Sequence, residues 1–425
     1  MESNSTLHPS SNFFLRQNAE RLFTVFKWIL FSLLSGLFIG LVGTAFYHCL
    51  NLVTDARNHF PWLIFLLPAG GVLIVFLYHI FRDENDKGTN LVLTAISSGE
   101  RIPFRMAPLI FLSTLITHLF GGSAGREGAA LQLGGSIGNF LGKLFRMDEK
   151  DQHIMIMCGM SAAFSAVFGT PMAAAVFSME VVTVGIMHYS ALVPCVLASL
   201  TARELAAFLG AAPEVFTVPA VPSLTLSTAA LAALLAALCA VVSVLFCTLL
   251  HQTEHAYRHF IKNPYLRAFI GGCLVLLLTL LTGSRLYNGS GTSAIPDFFA
   301  GSGRPEAFIL KMFFTALTIG AGFKGGEIVP SFFVGASFGC LFANLADCPP
   351  GICAAVGMTS VFCGVTNCPI TSLLISFELF GYEGMPYYLI AVAFSYMLSG
   401  YAGLYRGQKI AYSKFKTNYI NRQTK

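Results

Sequence analysis

Charged residues are scarce in this chain of 425 residues. Only 11% of the residues are Asp, Glu, Lys or Arg, whereas 55% are hydrophobic, and the mean hydropathy is +0.68. A soluble domain carries about 25% charged residues, so this composition excludes that class. The sequence therefore predicts a polytopic protein of the lipid bilayer, and we expect no nucleic-acid partner.

Uninterrupted hydrophobic runs are also fewer than this composition suggests, because glycine breaks several of them. Apolar stretches that approach or exceed spanning length are Trp28–Leu50, Trp62–Ile80, Ile154–Met187, Leu224–Leu250, Ala268–Leu281 and Pro386–Leu398. The chain has 40 glycines, which interrupt apolar sequence at 121–128, 134–142 and 320–326. Broken helices at membrane depth are tolerated only where the freed backbone groups line a cavity or face other protein. This pattern indicates a transport protein.

Cysteine and histidine occur without a metal-binding spacing. The eleven cysteines lie mostly in apolar stretches, and we interpret them as small packing residues. His251, His255 and His259 recur every fourth residue, but the HExxH order is absent. We interpret this stripe as a polar helix end at the membrane surface, and the distant alternative is an intramembrane enzyme that uses these histidines. We expect no metal and no cofactor.

Basic residues are concentrated at the two ends of the chain, whose net charge is +5. They are Arg16, Arg21 and Lys27 near the start, and Arg406, Lys409, Lys414, Lys416, Arg422 and Lys425 after the last apolar run. By the positive-inside rule, both termini are cytoplasmic in a multi-pass protein of the cell (inner) membrane. The predicted organisation is a cytoplasmic lead-in (1–22), a first membrane repeat (23–202), a link (203–223), a second membrane repeat (224–405) and a basic cytoplasmic tail (406–425).

The two halves of the chain share an internal repeat. Residues 159–182 align with residues 357–380 without a gap, at an offset of 198. The same offset places Arg126 on Lys324 and Gly128 on Gly326. Repeats in transporters place the substrate site at their interface, where helix N-termini and glycine backbone can approach an ion closely. Such a site favours an anion.

Arg126 and Glu127 are the only full charges between Ala107 and Gly142. An ionisable residue inside a membrane costs about 2.5–3.5 kcal/mol, so we assign it a function by default. An ionised Glu127 can occupy the anion site and a protonated one can leave, which couples anion and proton occupancy. The alternative is a structural ion pair.

Three further carboxylates lie in or near apolar sequence. Glu327 is a candidate proton carrier, and its alternative is a helix-start carboxylate near its own N-terminal amides. Glu180 and Glu378 occupy equivalent repeat positions. Their symmetric placement favours structural hydrogen bonding to nearby backbone.

Several of these segments together resemble the CLC family of chloride channels and anion/proton antiporters. They are GREG at 125–128, GGEIVP at 325–330 and the FGTP…E and TNCP…E repeats, and the resemblance runs from about residue 25 to 410. It implies an all-α polytopic fold with two inverted-topology repeats of tilted and broken helices. It also implies a homodimer with an anion pathway in each subunit, and it implies that Glu127 is the gating glutamate that competes with the anion.

Three departures from the chloride-transporting pattern point to one branch of that family. The first anion motif is GTNLV, so Thr89 stands where the family has serine. Val181 stands where chloride/proton antiporters carry an internal proton glutamate, and Glu327 adds a carboxylate to the GxFxP segment. Loss of one acid and gain of another resembles the fluoride/proton antiporter branch. Two residues differ from that branch. It usually has methionine or asparagine at the position of Thr89, and threonine at the position of Val329.

The resemblance implies export of a halide, fluoride, in exchange for protons, and a chloride/proton antiporter or chloride channel is the near alternative. The gating and proton candidates are Glu127 and Glu327. The anion-binding candidates are Thr89, Asn90, Gly125, Arg126, Gly128, Ile328, Val329 and Tyr405. Tyr401 is the alternative to Tyr405. Fluoride is strongly hydrated, and hydroxyl, amide and backbone N–H donors are needed to replace that hydration.

Overall fold

The computed structural model describes residues 11–83, 86–416 and 418–424, without the side chains of residues 11–17. Its α-helices are α1 (Ser11–His59), α2 (Leu67–Ile80), α3 (Thr89–Ser98), α4 (Met106–Leu119), α5 (Glu127–Leu144), α6 (Glu149–Phe168), α7 (Pro171–Glu180), α8 (Leu192–Phe208), α9 (Leu226–Phe260), α10 (Pro264–Thr282), α11 (Ile295–Phe299), α12 (Ala307–Gly320), α13 (Ile328–Ala346), α14 (Pro350–Thr366), α15 (Pro369–Phe380) and α16 (Met385–Leu398). Short 3₁₀ turns occur at Pro61–Leu66, Tyr189–Ala191 and Thr292–Ala294. The described residues are all-α apart from two short strands near the C-terminus and one in the middle of the chain.

Several helices are long and apolar enough to cross a membrane. Within the described residues these are Asn18–His59, Pro61–Ile80, Tyr189–Phe208, Leu226–Phe260, Pro264–Thr282 and Ile328–Ala346. Shorter apolar helices, such as α4 and α12 with 14 residues each, fill the interior between them. Such helices are too short to span a bilayer alone, so their ends lie at membrane depth and free backbone groups there. The functional site lies where the segments that follow α4 and α12 lead into α5 and α13.

Helices α1–α8 and α9–α16 form two repeats with corresponding elements. Helix α4 begins at Met106 and α12 at Ala307, whereas α5 begins at Glu127 and α13 at Ile328, so both pairs are offset by 201 residues. Helices α7 and α15 begin at Pro171 and Pro369, an offset of 198. The difference of three residues arises at the start of α6, which has 20 residues where α14 has 17.

This register corrects the predicted one in the glycine-rich segments. Arg126 is equivalent to Glu327 and not to Lys324, and both precede their helices with similar backbone angles, φ −111° and −100°. Glu127 is equivalent to Ile328, and Gly125 to Gly326. The offset of 198 was correct for 159–182, but it was extended across the length difference at the start of α6.

A two-fold relation between the repeats is visible at two contacts. Gly125 and Gly326 form an isolated antiparallel bridge, in which each N–H donates to the carbonyl of the other at 2.6 and 2.8 Å. Glu180 accepts hydrogen bonds from the first-turn N–H groups of Ile370 and Thr371, and Glu378 accepts in the same way at the start of α7. The predicted structural role of both glutamates is confirmed, but their backbone partners belong to the other repeat.

The chain between and after the repeats differs from the predicted boundaries. Helix α8 extends to Phe208, so the irregular link runs over residues 209–225. In the tail, β2 (Lys409–Tyr412) pairs with β1 (Thr183–Val184) and with β3 (Tyr419–Gln423). Gln408 fixes this sheet by donating to carbonyls of both repeats. At the other end, α1 begins within the predicted lead-in, and residues 1–10 lie outside the described residues.

Candidate anion and proton site

The site lies where the N-termini of α5 and α13 meet. The Gly125–Gly326 bridge holds the two helix starts side by side, and both glycines must lack a side chain because a β-carbon on either would press on the opposite backbone. The first N–H groups of an α-helix have no partner within the helix and carry partial positive charge. Two such ends at one place form a ready environment for an anion or a carboxylate.

Glu127 is the first residue of α5 and its side chain is 0% exposed. The carboxylate folds back over Gly125, where Oε2 accepts the main-chain N–H of Arg126 at 3.1 Å and Oε1 lies 3.4 Å from the Arg126 Nε. The cation beside Glu127 is thus the adjacent Arg126, whereas the structural ion pair named as the alternative requires a different partner. The carboxylate thus occupies the junction between the helix ends as a tethered anion.

Arg126 lies at this junction and lines a cavity, here called the Arg126 cavity. The guanidinium forms an ion pair with Glu214 and lies 5.2 Å from the ring centroid of Tyr47. Glu214 belongs to the link between the repeats, and the sequence interpretation missed it because nothing in the link distinguished it from an ordinary loop acid. The arginine charge is therefore balanced by an acid that is distant in sequence.

A second cavity, here called the Glu327 cavity, shares no lining residue with the Arg126 cavity. Thr89, Asn90, Glu327 and Tyr405, four of the predicted site residues, lie on its wall. Glu127 lines neither the Glu327 cavity nor the Arg126 cavity. The fully buried gate candidate therefore lies between two cavities that carry the other polar groups.

Thr89 and Glu327 converge on Gly128. A β-carbon placed on Gly128 would lie 3.7 Å from the Thr89 hydroxyl and 3.6 Å from Oε2 of Glu327. The Thr89 hydroxyl lies 3.4 Å from the carbonyl oxygen of Gly128. These contacts bring Thr89 of the GTNLV motif and the carboxylate of Glu327 to Gly128, the second residue of α5.

Gln132 is a further polar residue of this wall that the sequence interpretation missed. Its side chain is 4% exposed, its Nε2 donates to the Thr89 hydroxyl at 3.1 Å, and its Oε1 has no hydrogen-bond partner. Buried polar atoms are normally paired, so an unpaired amide oxygen in a cavity wall invites water or a protonated group. The only sequence signal was its position five residues after Glu127 in a polar-poor helix.

Asn90 and the two tyrosines have different surroundings. The Asn90 Oδ1 accepts the main-chain N–H of Gly407 at 2.8 Å, so this side chain also fastens the tail. Tyr405 is 2% exposed and its hydroxyl has no hydrogen-bond partner in the described residues. The Tyr401 hydroxyl instead pairs with Ser413 at 2.8 Å and does not line the cavity. Tyr405 is thus the tyrosine whose hydroxyl is free beside Glu327.

The remaining anion-binding candidates contribute backbone. Ile328 and Val329 form the first turn of α13, and their apolar side chains are 0% and 2% exposed. Neither lines the two cavities. Any contact of these residues with an ion would use main-chain N–H groups at the helix start.

Charges at the mouth of the Glu327 cavity are largely paired. Lys324 forms an ion pair with Asp86 at 2.7 Å and its Nζ lies 4.3 Å from the ring centroid of Tyr78. Lys87 forms an ion pair with Glu100 at 2.5 Å, and this hydrogen bond lowers the pKa of the Glu100 carboxyl. Glu327 has no ion pair within 4 Å in the described part of the chain, so it is the wall carboxylate without a directly bonded cation.

The histidine stripe lies apart from the junction, on the last turns of α9. His255 and His259 stack with ring centroids 6.3 Å apart, and the His251 Nε2 lies 3.3 Å from the carbonyl oxygen of Leu404. No group of His, Cys, Asp and Glu suited to a metal ion occurs in the described residues. The eleven cysteines are all unpaired, in keeping with their interpretation as packing residues.

Glu127 is buried between two cavities and Glu327 lines one of them, both at helix starts inside a many-helix membrane protein. This arrangement defines a transport protein for small ions. A family model described as voltage gated chloride channel matches residues 70–400. The chain belongs to this family, the CLC family. It is accordingly a transport protein and not an enzyme, which removes the alternative based on the histidine stripe.

Individual relatives agree with this assignment. A chloride/fluoride channel protein of Pseudomonas syringae pv. tomato is 35% identical over 395 residues, covering 91% of this chain and 87% of the relative. The H(+)/Cl(-) exchange transporter ClcA of Vibrio cholerae is 28% identical, covering 84% and 82%. The crystal structure of a CLC-type fluoride/proton antiporter superposes with a TM-score of 0.88 at 34% identity, covering 91% of this chain and 99% of that one. The all-α fold with two repeats is therefore confirmed.

Proposed function

We propose that this protein exchanges fluoride for protons across the cell membrane. The observation that carries the proposal is the arrangement of two carboxylates in series. Glu127 is wholly buried between the two cavities, and Glu327 lines the second cavity beside Thr89 and Tyr405. The resemblance to proteins described as a chloride/fluoride channel protein and a fluoride/proton antiporter supports fluoride as the halide.

The proposed exchange begins with competition at the junction of α5 and α13. When ionised, Glu127 fills the place of an anion, held by the Arg126 N–H and by the positive helix ends. When protonated, it loses that attraction and withdraws, and an anion enters. The Glu127 side chain and the anion occupy the same place in turn, so the proton flux and the anion flux are coupled.

Glu327 is proposed as the second proton carrier. A partly buried carboxylate next to an anion path, without an ion-pair partner in the described residues, is costly to keep ionised, because the protein interior offers little to balance its charge. Thr89 and Tyr405 are proposed to bind the anion through their hydroxyls, and Asn90 through its amide. Backbone N–H groups of Arg126, Gly128, Ile328 and Val329 complete the proposed set, whereas the Gly125 N–H is occupied by its hydrogen bond to the Gly326 carbonyl.

Fluoride makes particular demands on such a site. It is small and strongly hydrated, so a site must supply hydrogen-bond donors in place of water. The Tyr405 hydroxyl is unpaired and can donate without breaking an existing hydrogen bond. The Thr89 hydroxyl already accepts from Gln132, which leaves its own proton available to an anion in place of the long contact with Gly128.

The orientation follows from the charges at the ends of the chain. The tail leaves the wall of the Glu327 cavity at Tyr405 and is rich in basic residues. By the positive-inside rule we place both termini, and with them the mouth of the Glu327 cavity, on the cytoplasmic side. The Arg126 cavity then opens to the outside. We further propose a homodimer embedded in lipid, as the family resemblance implies, which chemical cross-linking in liposomes tests.

Coupled flux in proteoliposomes tests the proposed function. Vesicles are loaded with potassium fluoride or potassium chloride, efflux is started with valinomycin, and ion-selective and pH electrodes record both fluxes. We expect fluoride efflux accompanied by proton uptake at a fixed ratio, and slower chloride efflux. Chloride efflux at the rate of fluoride efflux would contradict fluoride selectivity. Fluoride efflux without proton movement would contradict exchange.

Chloride/proton exchange or a chloride channel remains the near alternative because relatives of this chain carry those names. One observation disfavours it. Val181, at the position of the internal proton glutamate of chloride/proton antiporters, is 0% exposed, and its carbonyl accepts from Gln408. That route for protons would therefore end at an apolar side chain covered by the tail.

A further inference from the structure

The wall of the Arg126 cavity carries more positive than negative charge. Arg57, Arg126 and Arg285 line it, and Glu214 is the only carboxylate among its lining residues in the described chain. Glu214 is already paired with Arg126. Two guanidinium groups on this wall, those of Arg57 and Arg285, therefore have no acid to balance them.

Arg57 and Arg285 come from different elements and approach each other across the cavity. Arg57 lies near the end of α1, where its Nη1 donates to the carbonyl of His118 at 3.1 Å, and Arg285 is exposed in the loop after α10. Both guanidinium groups line the same cavity. Neither has an ion pair within 4 Å in the described residues. Like charges held together without an acid are a costly arrangement that a bound anion relieves.

The loop that carries Arg285 is held in place by a third cation. Lys311 is 0% exposed, and its Nζ donates to the carbonyls of Tyr287 at 3.1 Å and of Gly289 at 2.8 Å. Gly289 has φ +65°, and a β-carbon there would lie 2.5 Å from Nη1 of Arg57. The backbone at Tyr287 and Gly289, a few residues after Arg285, is therefore fitted closely against Lys311 and Arg57.

This loop also contacts the glycine-rich segment that leads to Glu127. The Asn288 Nδ2 donates to the carbonyl of Gly121 at 2.8 Å, and the Gly289 N–H donates to the carbonyl of Gly122 at 3.1 Å. The loop of the basic wall and the segment that leads to the gate candidate are thus joined by hydrogen bonds. An anion that passes Glu127 would next meet a cavity in which Arg57 and Arg285 are unpaired and Thr54, Ser290 and Thr292 supply hydroxyl groups.

We infer that Arg57 and Arg285 form a second binding site for a small monovalent anion, separate from the junction of α5 and α13. The identity of the anion as fluoride rests on the proposed function. The existence of the site rests on the charges of the cavity alone. A positively charged cavity with low-dielectric walls concentrates anions. The site receives the anion on the far side of the gate and also accepts anions from the outer solution.

Anion influx from the outer solution tests this site. Proteoliposomes of zwitterionic lipid, which offer no anionic headgroup as a competitor, are given sodium fluoride outside, with sodium gluconate to hold the ionic strength. Influx is measured against external fluoride for the unaltered protein, for Arg285→Gln and for Arg285→Lys. Arg101→Gln serves as the matched control, because Arg101 is exposed and lines neither described cavity.

We expect Arg285→Gln to raise the half-saturating external fluoride concentration about fivefold at low ionic strength, the factor for one charge interaction in water. The maximal influx and the proton-to-anion ratio should stay unchanged. Arg285→Lys should restore the low half-saturating concentration, and added gluconate salt should reduce the difference.

An unchanged half-saturating concentration in Arg285→Gln, with normal exchange, would overturn the second site and leave the proposed function intact. A rise in Arg101→Gln equal to that in Arg285→Gln would also overturn it, because net surface charge would then explain the effect. Absence of fluoride exchange in the unaltered protein would overturn the proposed function instead. In that case the same titration with sodium chloride, followed by equilibrium dialysis of radioactive chloride, decides whether the site exists.

Discussion

The two glycine-rich segments of the repeats are equivalent in backbone and different in charge. Gly125 and Gly326 bridge each other, and a helix begins two residues after each of them. The first segment places its carboxylate, Glu127, at the first position of its helix. The second places Glu327 one position earlier, where the first segment has Arg126. A shift of one residue on the same backbone therefore separates the two acids.

This shift changes what each carboxylate contacts. Glu127 is 0% exposed and lies against the Arg126 N–H and guanidinium, whereas Glu327 is partly exposed and lines a cavity without an ion-pair partner. The first carboxylate is surrounded by donors that an anion could use equally well. The second is reached from the cavity. One repeat thus supplies a group that competes with an anion, and the other supplies a group that can exchange protons with water.

The largest effect is expected from Glu127→Gln. The amide keeps the size of the side chain but cannot carry a proton or a full negative charge, so it neither competes as an anion nor transports a proton. We expect proton movement to fall to the level of empty liposomes while anion flux continues. Paired fluoride and pH recordings from proteoliposomes measure both.

Glu204→Gln is the control for this variant, because Glu204 is exposed on α8 beside Arg203. It should retain full coupling. Proton-coupled exchange that persists in Glu127→Gln would remove Glu127 from the gating role and would make the two segments alike in function.

A smaller effect is expected from Glu327→Gln. Proton transfer by a positioned side chain contributes on the order of a hundredfold in rate, and a second route through water would recover part of it, so we expect coupled proton flux to fall about tenfold. Fluoride flux should fall with it. Glu306→Gln, at the exposed start of α12, is the matched control. Unaltered proton flux in Glu327→Gln would return this residue to the structural role of a helix-start carboxylate.

The sequence predicted the repeat but not its register in the glycine-rich segments. Identities such as Pro171 with Pro369 fixed the offset of 198 in the later helices, where no residues are inserted. The three extra residues at the start of α6 cannot be recognised from the sequence, because about one added helical turn leaves the hydrophobic pattern of the helix unchanged. The bridge between Gly125 and Gly326 reveals the true register because a two-fold relation pairs equivalent residues.

The sequence also predicted most of the carboxylates of the site but few of their partners. Glu127 and Glu327 stood out because charge is rare at membrane depth. Their neighbours come from distant chain segments, as Glu214 comes from the link to meet Arg126, and Gln132 comes from α5 to meet Thr89. Such contacts depend on how helices pack, and spacing in the chain does not encode them.

The smallest effect is expected from Thr89→Ser, which tests whether the side chain beside Glu327 on the cavity wall affects the choice of anion. The change removes one methyl group and keeps the hydroxyl that accepts from Gln132. A methyl group is worth about 0.8 kcal/mol of packing, so the fluoride-to-chloride flux ratio should change by up to about fourfold if Thr89 contacts the ion. Thr94→Ser is the control, since the Thr94 hydroxyl donates to the Asn90 carbonyl at 2.9 Å on the same helix but does not line the cavity. An equal flux ratio in both variants would separate Thr89 from the anion path and would leave Tyr405 as the hydroxyl beside Glu327 that selects the ion.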